Sequence, residues 1–415
     1  MALPAQFRRN DRGPEFRAYL ARMIGRWKHK THNPLGFLSI AIEDSDPRVR
    51  LEAVVSASHL QAPMSLPIAL HALDHPRDKF IDYALIQTVH ALEPVWFPAW
   101  QAGELAFMTP SHLAFAIRTR GGGDAAKIVR EKAEAATGDA RAQLILALAQ
   151  IGRPEDLAFA LQEMPNDVDL LLIVRDSVAL RNVRPAGKAG DLLRKPFSAD
   201  DPYVLAAALQ LAAVWGDRSA SLLVSVLSES EELVPEVSVP LMSAIAKLWE
   251  PARARDFLKQ AAENASASWP ERFSANAALV DVDLAVGGST AASLLTNVET
   301  QAHANEILAP FLARGNGPKV LTEALGAQTL SADKAELIGQ ALAAVGRNDP
   351  PLQNLVHRIL GVQNSGQGYD AAFVAQLVKE VAESGDVVAG KKVFESPLLG
   401  CVACHIVDGK GGMLG

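Results

Sequence analysis

The 415-residue chain holds two cysteines, three apart, with a histidine directly after the second: Cys401-Val402-Ala403-Cys404-His405. Chance would produce this arrangement on the order of once in ten thousand such chains, so the spacing calls for a cause. Residues i and i+3 lie on one side of a helical turn. Two thiols placed this way can each form a thioether with one of the two vinyl groups of a haem. The imidazole of His405 then stands next in line to ligate the iron as the proximal axial ligand. The implied cofactor is a single covalent haem c, and the implied chemistry is single-electron transfer.

Other chemistries fit these residues less well. A structural zinc site needs about four ligands, and no second cysteine pair exists to complete it. A thioredoxin-like pair needs a βαβ context, which the sequence does not predict. A local disulfide, or two idle thiols, is what remains if no haem is attached. No Ser/His/Asp constellation, phosphate loop or paired-carboxylate motif stands out, so the chain reads as an electron carrier rather than a catalyst. A haem enzyme acting on peroxide would need an open sixth coordination position and distal acid–base groups.

The elements before the motif read as helices. Apolar residues make up 49% and aromatics only 6%, a bias that suits close-packed helices better than sheets. Asp46-Pro47 and Asp201-Pro202 are helix openings: Asp accepts from free backbone N–H groups, and Pro at the first position has no N–H to leave unpaired. Val49, Ala53, Val54, Ala57 and Leu60 then share one face, as do Val204, Leu205, Ala208, Leu209 and Ala212. Leu241, Met242, Ile245, Leu248 and Trp249 form another stripe, and Leu337, Ile338, Ala341, Leu342 and Val345 one more. Gly216, Gly346 and Gly361 sit where such helices should stop. No run alternates apolar and polar residues, so the fold class is all-α: many short, closely linked helices stacked as an α-solenoid.

The boundaries expected are a basic N-terminal segment over 1–33, helical repeats over 34–360, a Gly/Ser/Asn/Gln linker over 361–369 and a haem-binding segment over 370–415. The basic segment holds Arg8, Arg9, Arg12, Arg17, Arg22, Arg26, Lys28 and Lys30 against Asp11 and Glu15. A solvated helix face is the plainer reading, and an anionic partner the sharper one. A net charge of −7 gives nucleic-acid binding no global support. No apolar stretch is long enough to cross a bilayer.

Two segments carry resemblances. Asp44-Ser45-Asp46-Pro47-Arg48-Val49-Arg50-Leu51-Glu52-Ala53 resembles the HEAT-repeat pattern, and residues 75–92 resemble the next helix pair of such an array. Gly385-Asp386-Val387-Val388-Ala389-Gly390-Lys391-Lys392-Val393-Phe394 resembles the first helix of small cytochrome c domains, in which a Gly and an aromatic, here Gly390 and Phe394, pack against the final helix. Asp408-Gly409-Lys410-Gly411-Gly412 resembles that family's glycine-rich loop. The combination is similar to the planctomycete-type haem-binding CxxCH proteins, which join a dehydrogenase-like β-propeller, a HEAT-repeat region and a cytochrome c domain. The resemblance implies a class I cytochrome c-type domain and a dehydrogenase module or other redox protein as electron donor. It also implies an incomplete domain, because the family places most of its fold and its distal ligand beyond the point where Gly415 ends this chain; the chain then reads as a fragment. Met413, the downstream methionine, sits in the loop and is read as a loop side chain rather than as the sixth ligand.

Thioether attachment of haem normally takes place outside the cytoplasm, so a periplasmic or other extracytoplasmic location is expected. The basic N-terminus is followed by no apolar run of the kind a signal peptide has. His29 and His32 read as solvated, and His59, His71, His75 and His90 match no metal spacing. Trp96 and Trp100, in Glu93-Pro94-Val95-Trp96-Phe97-Pro98-Ala99-Trp100, read as packing anchors at an inter-repeat turn, with a partner site as the alternative.

Overall fold

A computed structural model describes residues 13–121, 125–230, 233–345, 349–361, 371–395, 401 and 405–407. The chain divides into two compact units, Met1–Gly187 and Lys188–Gly415. The division falls where Asn182 and Gly187 take positive φ and α-helix gives way to short turns.

The first unit contains α1 (Pro14–Arg26), α2 (Pro34–Ile42), α3 (Pro47–Ser58), α4 (Ser65–Leu70), α5 (Lys79–Ala102), α6 (Pro110–Arg120), α7 (Ala125–Ala135), α8 (Gly138–Ile151), α9 (Pro154–Glu163) and α10 (Val168–Arg181). Here α1 packs on α3 and α3 on α5, while α2 packs on α4; further along, α6 packs on α8 and α8 on α10. Several helices therefore meet the next but one as well as their neighbour, which is how helix pairs stack in a repeat array. The basic N-terminal stretch, from Pro14 on, supplies the first helix of this stack.

The second unit holds α11 (Ala189–Leu192), α12 (Pro202–Trp215), α13 (Ser221–Ser228), α14 (Pro235–Leu248), α15 (Pro251–Glu263), α16 (Trp269–Val282), α17 (Leu284–Leu295), α18 (Gln301–Leu312), α19 (Gly317–Gly326), α20 (Ala332–Val345) and α21 (Pro350–Ile359). Two rows result. One runs α12, α14, α16, α18, α20 and the other α15, α17, α19, α21, each helix packing on the next in its row. After them come α22 (Ala371–Ser384) and α23 (Val387–Glu395). No described helix is long and apolar enough to cross a membrane.

Local chemistry explains the starts and stops. Asp46 Oδ1 accepts from the Arg48 amide at 2.8 Å, and Asp201 Oδ1 from the Tyr203 amide at 2.8 Å, each with Pro at the first helical position. Ser268 and Glu271 cap α16 reciprocally. Gly216 closes α12 at φ +69°, a conformation that costs glycine little. Gly346 lies outside the described residues. The apolar stripes point inward: Val49, Ala53, Val54 and Ala57 are fully buried, as are Leu209, Ile245 and Ile338.

One stretch departs from expectation. Trp96 and Trp100 lie inside α5, which runs unbroken through Pro94 and Pro98. Each proline removes one helical hydrogen bond, at about 3 kcal/mol in a helix interior. Burial of Leu92, Trp96, Phe97 and Trp100 offsets that cost, and both prolines sit on the exposed side. Trp96 is wholly buried and its Nε1 donates to the Val89 carbonyl at 3.0 Å, so it is core and not a partner site.

The stacked helices approach closely. Ser56 Oγ on α3 donates to the Ala21 carbonyl on α1 at 2.8 Å. A Cβ added to Gly25 would stand 2.7 Å from that hydroxyl and 2.9 Å from Ser56 Cα, so only hydrogen fits there. Gly25→Val should force α1 off α3 and lower unfolding stability by roughly 1–3 kcal/mol, read as a lower urea midpoint. An unchanged midpoint would mean that the helices do not meet at this point.

Candidate functional site

The CxxCH segment follows α23. The His405 amide donates to the Cys401 carbonyl at 3.0 Å, the i to i+4 spacing of an α-helical hydrogen bond. Cys401 is half-buried and His405 exposed. The described ends of the motif thus bring one cysteine and one histidine into a single backbone hydrogen bond. Cys404 itself, Asp408–Gly412 and Met413 lie outside the described residues, as does nearly all of the linker over 361–369. Among the described residues no group of three or more His, Cys, Asp or Glu side chains is arranged to hold a bare metal ion.

The helices that lead to the motif show apolar side chains to solvent. Phe373, Val374, Leu377, Val378 and Val381 recur at helical spacing along α22 and are 39–66% exposed. Val387, Val388 and Val393 on α23 are exposed too. Elsewhere such stripes form the core, so this segment offers apolar surface of the sort that a flat apolar cofactor or another helix covers.

Part of the basic N-terminal stretch pairs within the fold, while Arg22, Arg26 and Lys30 stay exposed. Arg17 holds Asp44 with two bonds, Nε to Oδ2 at 2.7 Å and Nη2 to Oδ1 at 2.9 Å. Arg22 pairs with Glu52, and Lys28 donates to the His59 carbonyl at 2.7 Å. Arg17, Arg22 and Lys28 thus tie the first helix and the turn after it to α3 and the corners on either side of it. His29 and His32 are exposed. Arg8, Arg9 and Arg12 lie outside the described residues.

A cluster that sequence spacing does not reveal sits at the corners of the first repeats. His75 Nε2 lies 2.9 Å from Glu43 Oε2, and His71 Nδ1 lies 3.4 Å from Glu43 Oε1. His112, 1% exposed, places Nε2 3.0 Å from Asp74 Oδ1. These five residues come from three separate stretches of chain, so no local motif could disclose them. They tie successive corners together.

Burial works against ionisation of the Asp44 carboxyl, but the Arg17 hydrogen bonds and the Asp46 amide outweigh it and hold its pKa below the usual carboxylate range. Asp44 therefore contributes stability that is fully present above the ordinary carboxylate pKa and lost as pH falls through the folded-state value. Asp44→Asn leaves Arg17 without its counter-charge and should cost roughly 3–5 kcal/mol at neutral pH. Urea midpoints across the pH range test this: the gap between parent and variant should narrow in acid, and a gap that stays constant would contradict the assignment.

Comparison with known proteins bears on the repeats. The family of HEAT repeats matches residues 3–89, which spans α1 to α3, α4 and the first half of α5. No curated protein and no solved structure matches the chain. The N-terminal part of the chain is thus similar to HEAT repeats, within an all-helical fold.

Proposed function

We propose that this chain is a helical-repeat scaffold for protein partners that carries one covalent haem c and passes single electrons through it. The stacked helices of both units and the HEAT-repeat match support the scaffold. The observation that supports the haem reading is the Cys401-Val402-Ala403-Cys404-His405 spacing, with the His405 amide bonded to the Cys401 carbonyl at 3.0 Å. Cys401 and Cys404 hold the porphyrin by thioethers, and His405 ligates the iron. Bound haem supplies a one-electron couple; the chain positions it and sets its surroundings. The electron donor in this reading is a dehydrogenase module or another redox protein, and the location is extracytoplasmic, where thioether attachment takes place.

A second reading keeps the scaffold alone, with the haem segment idle. The comparisons favour it, because the family match lies wholly within the repeats.

A redox titration separates the two. The chain is exported into a host with cytochrome c maturation machinery, beside a Cys401→Ser, Cys404→Ser variant and a control cytochrome. The parent should show visible haem bands that titrate reversibly with a one-electron slope, and the variant should show none. Both proteins should melt alike, because the motif lies outside the stacked rows. A folded, exported parent without haem bands would leave the scaffold as the function.

A further inference from the structure

Between Phe16 and Ile42 the chain has no acidic residue, although its net charge is −7. The same stretch holds Arg17, Arg22, Arg26, Lys28 and Lys30. Arg17 is buried against Asp44, and the other four lie along α1 and the turn after it. Tyr19, Arg22 and Arg26 are spaced at three and four residues, on the side of α1 away from the buried Ala21, Ile24 and Gly25. The turn is closed: the Lys30 and Thr31 amides both donate to the Trp27 carbonyl, at 2.7 and 3.1 Å. Lys28 Nζ fastens it to the His59 carbonyl just past the end of α3. Val55 lies between Glu52, which Arg22 meets, and His59, so it comes to the same rim. No ion pair among the described residues uses Arg26, Lys28 or Lys30.

We propose that this rim docks on an anionic phospholipid bilayer. The reading goes beyond the scaffold and the haem and depends on neither. Charge complementarity is the first support, because cations without neighbouring acids are what an anionic headgroup layer attracts. The exposed apolar groups are the second. Tyr19 and Trp27 are each 55% exposed and Val55 39%, in the midst of those cations. Such rings settle at the headgroup level, with the ring body toward the acyl chains and the polar tip toward water. A cation at the C-terminal end of a helix is favoured for its own sake, which explains Arg26 but not the exposed rings. A soluble polyanion would take up the charge and could stack on the rings, yet it offers nothing to Val55. Because the turn is already fixed by its own hydrogen bonds and by Lys28, docking orders little chain.

The test sediments the full chain with sucrose-loaded vesicles, either of phosphatidylcholine alone or of equal parts phosphatidylcholine and phosphatidylglycerol. Arg26→Glu, Lys30→Glu is the charge variant, and Trp27→Ala is the ring variant. Thermal melts by circular dichroism establish that each is folded. The parent should bind only the anionic vesicles and come off in high salt. Each cation near an anionic surface is worth roughly fivefold in affinity, so the charge variant should bind at least ~10-fold more weakly. Trp27→Ala should bind the vesicles severalfold more weakly and elute from heparin with the parent. Equal binding of the parent to both vesicle types, or to neither, would overturn the proposal. So would a folded charge variant that binds as the parent does, because the charge would then lie elsewhere in the chain. Tighter binding of the parent to heparin than to the anionic vesicles would overturn it as well and make the partner a soluble polyanion.

Discussion

Close backbone approach between helices in one row is the constraint on which the stacked units depend. Ser56 reaches the Ala21 carbonyl, Ser177 the Ala149 carbonyl and Ser274 the Val239 carbonyl, each at 2.8 Å. In every case a short hydroxyl side chain on one helix bonds to a backbone oxygen on the helix before it in the row. Such contacts exclude bulky residues between the helices. Gly287 shows the same demand at another crossing, because a Cβ there would stand 2.7 Å from Val280 Cγ2 and 3.0 Å from Val280 Cα. Gly288 would meet Val320 Cγ1 at 2.8 Å. Small residues at the crossings and leucine, isoleucine and valine beside them explain why a well-packed helical core needs few aromatics.

Charge follows from the same stacking. Once helices lie close, the rims of neighbouring repeats come within reach of long side chains. Lys247 meets Asp281 at 2.9 Å, and Arg314 bonds the same carboxylate from the other side. Arg218 meets Glu250 at 2.7 Å. Exposed pairs of this kind contribute little each. The Arg17–Asp44 pair differs because both side chains are nearly buried, at 9% and 12% exposure. There Asp44 also accepts the Asp46 amide at 2.9 Å, while Arg50 donates to the carbonyls of Asp44, Ser45 and Pro76. The Asp-Ser-Asp-Pro-Arg-Val-Arg segment is thus a helix start and a junction between corners at once.

The sequence discloses what is local. Asp46-Pro47 and Asp201-Pro202 announce helix starts through capping chemistry, and the stripes from Val49 and Val204 mark buried faces through their period. Non-local outcomes were hidden. The prolines at 94 and 98 read as a turn because propensity says nothing of the burial that carries α5 through them. The pairing of Arg17 and Arg22 could not be read from the basic stretch, because Asp44 and Glu52 belong to the next corner and helix. His112 and Asp74 meet only after folding. The split at Gly187 leaves just a Pro-Ala-Gly run in the sequence. At the candidate site the legible part is the CxxCH spacing itself.

The scaffold and the proposed haem-attachment motif make different demands on the chain. Stacking needs small residues and satisfied corners over many repeats, whereas attachment needs three side chains on one turn and an apolar surface near them. The claim that joins them is that Cys401 and Cys404 carry a porphyrin. Its most direct measurement is the mass of the tryptic peptide from Val393 to Lys410, taken from the exported protein after denaturation. We expect one haem added to this peptide and to no other. A peptide recovered at its bare mass, or with the two cysteines joined to each other, from protein matured beside a correctly loaded control cytochrome, would contradict it.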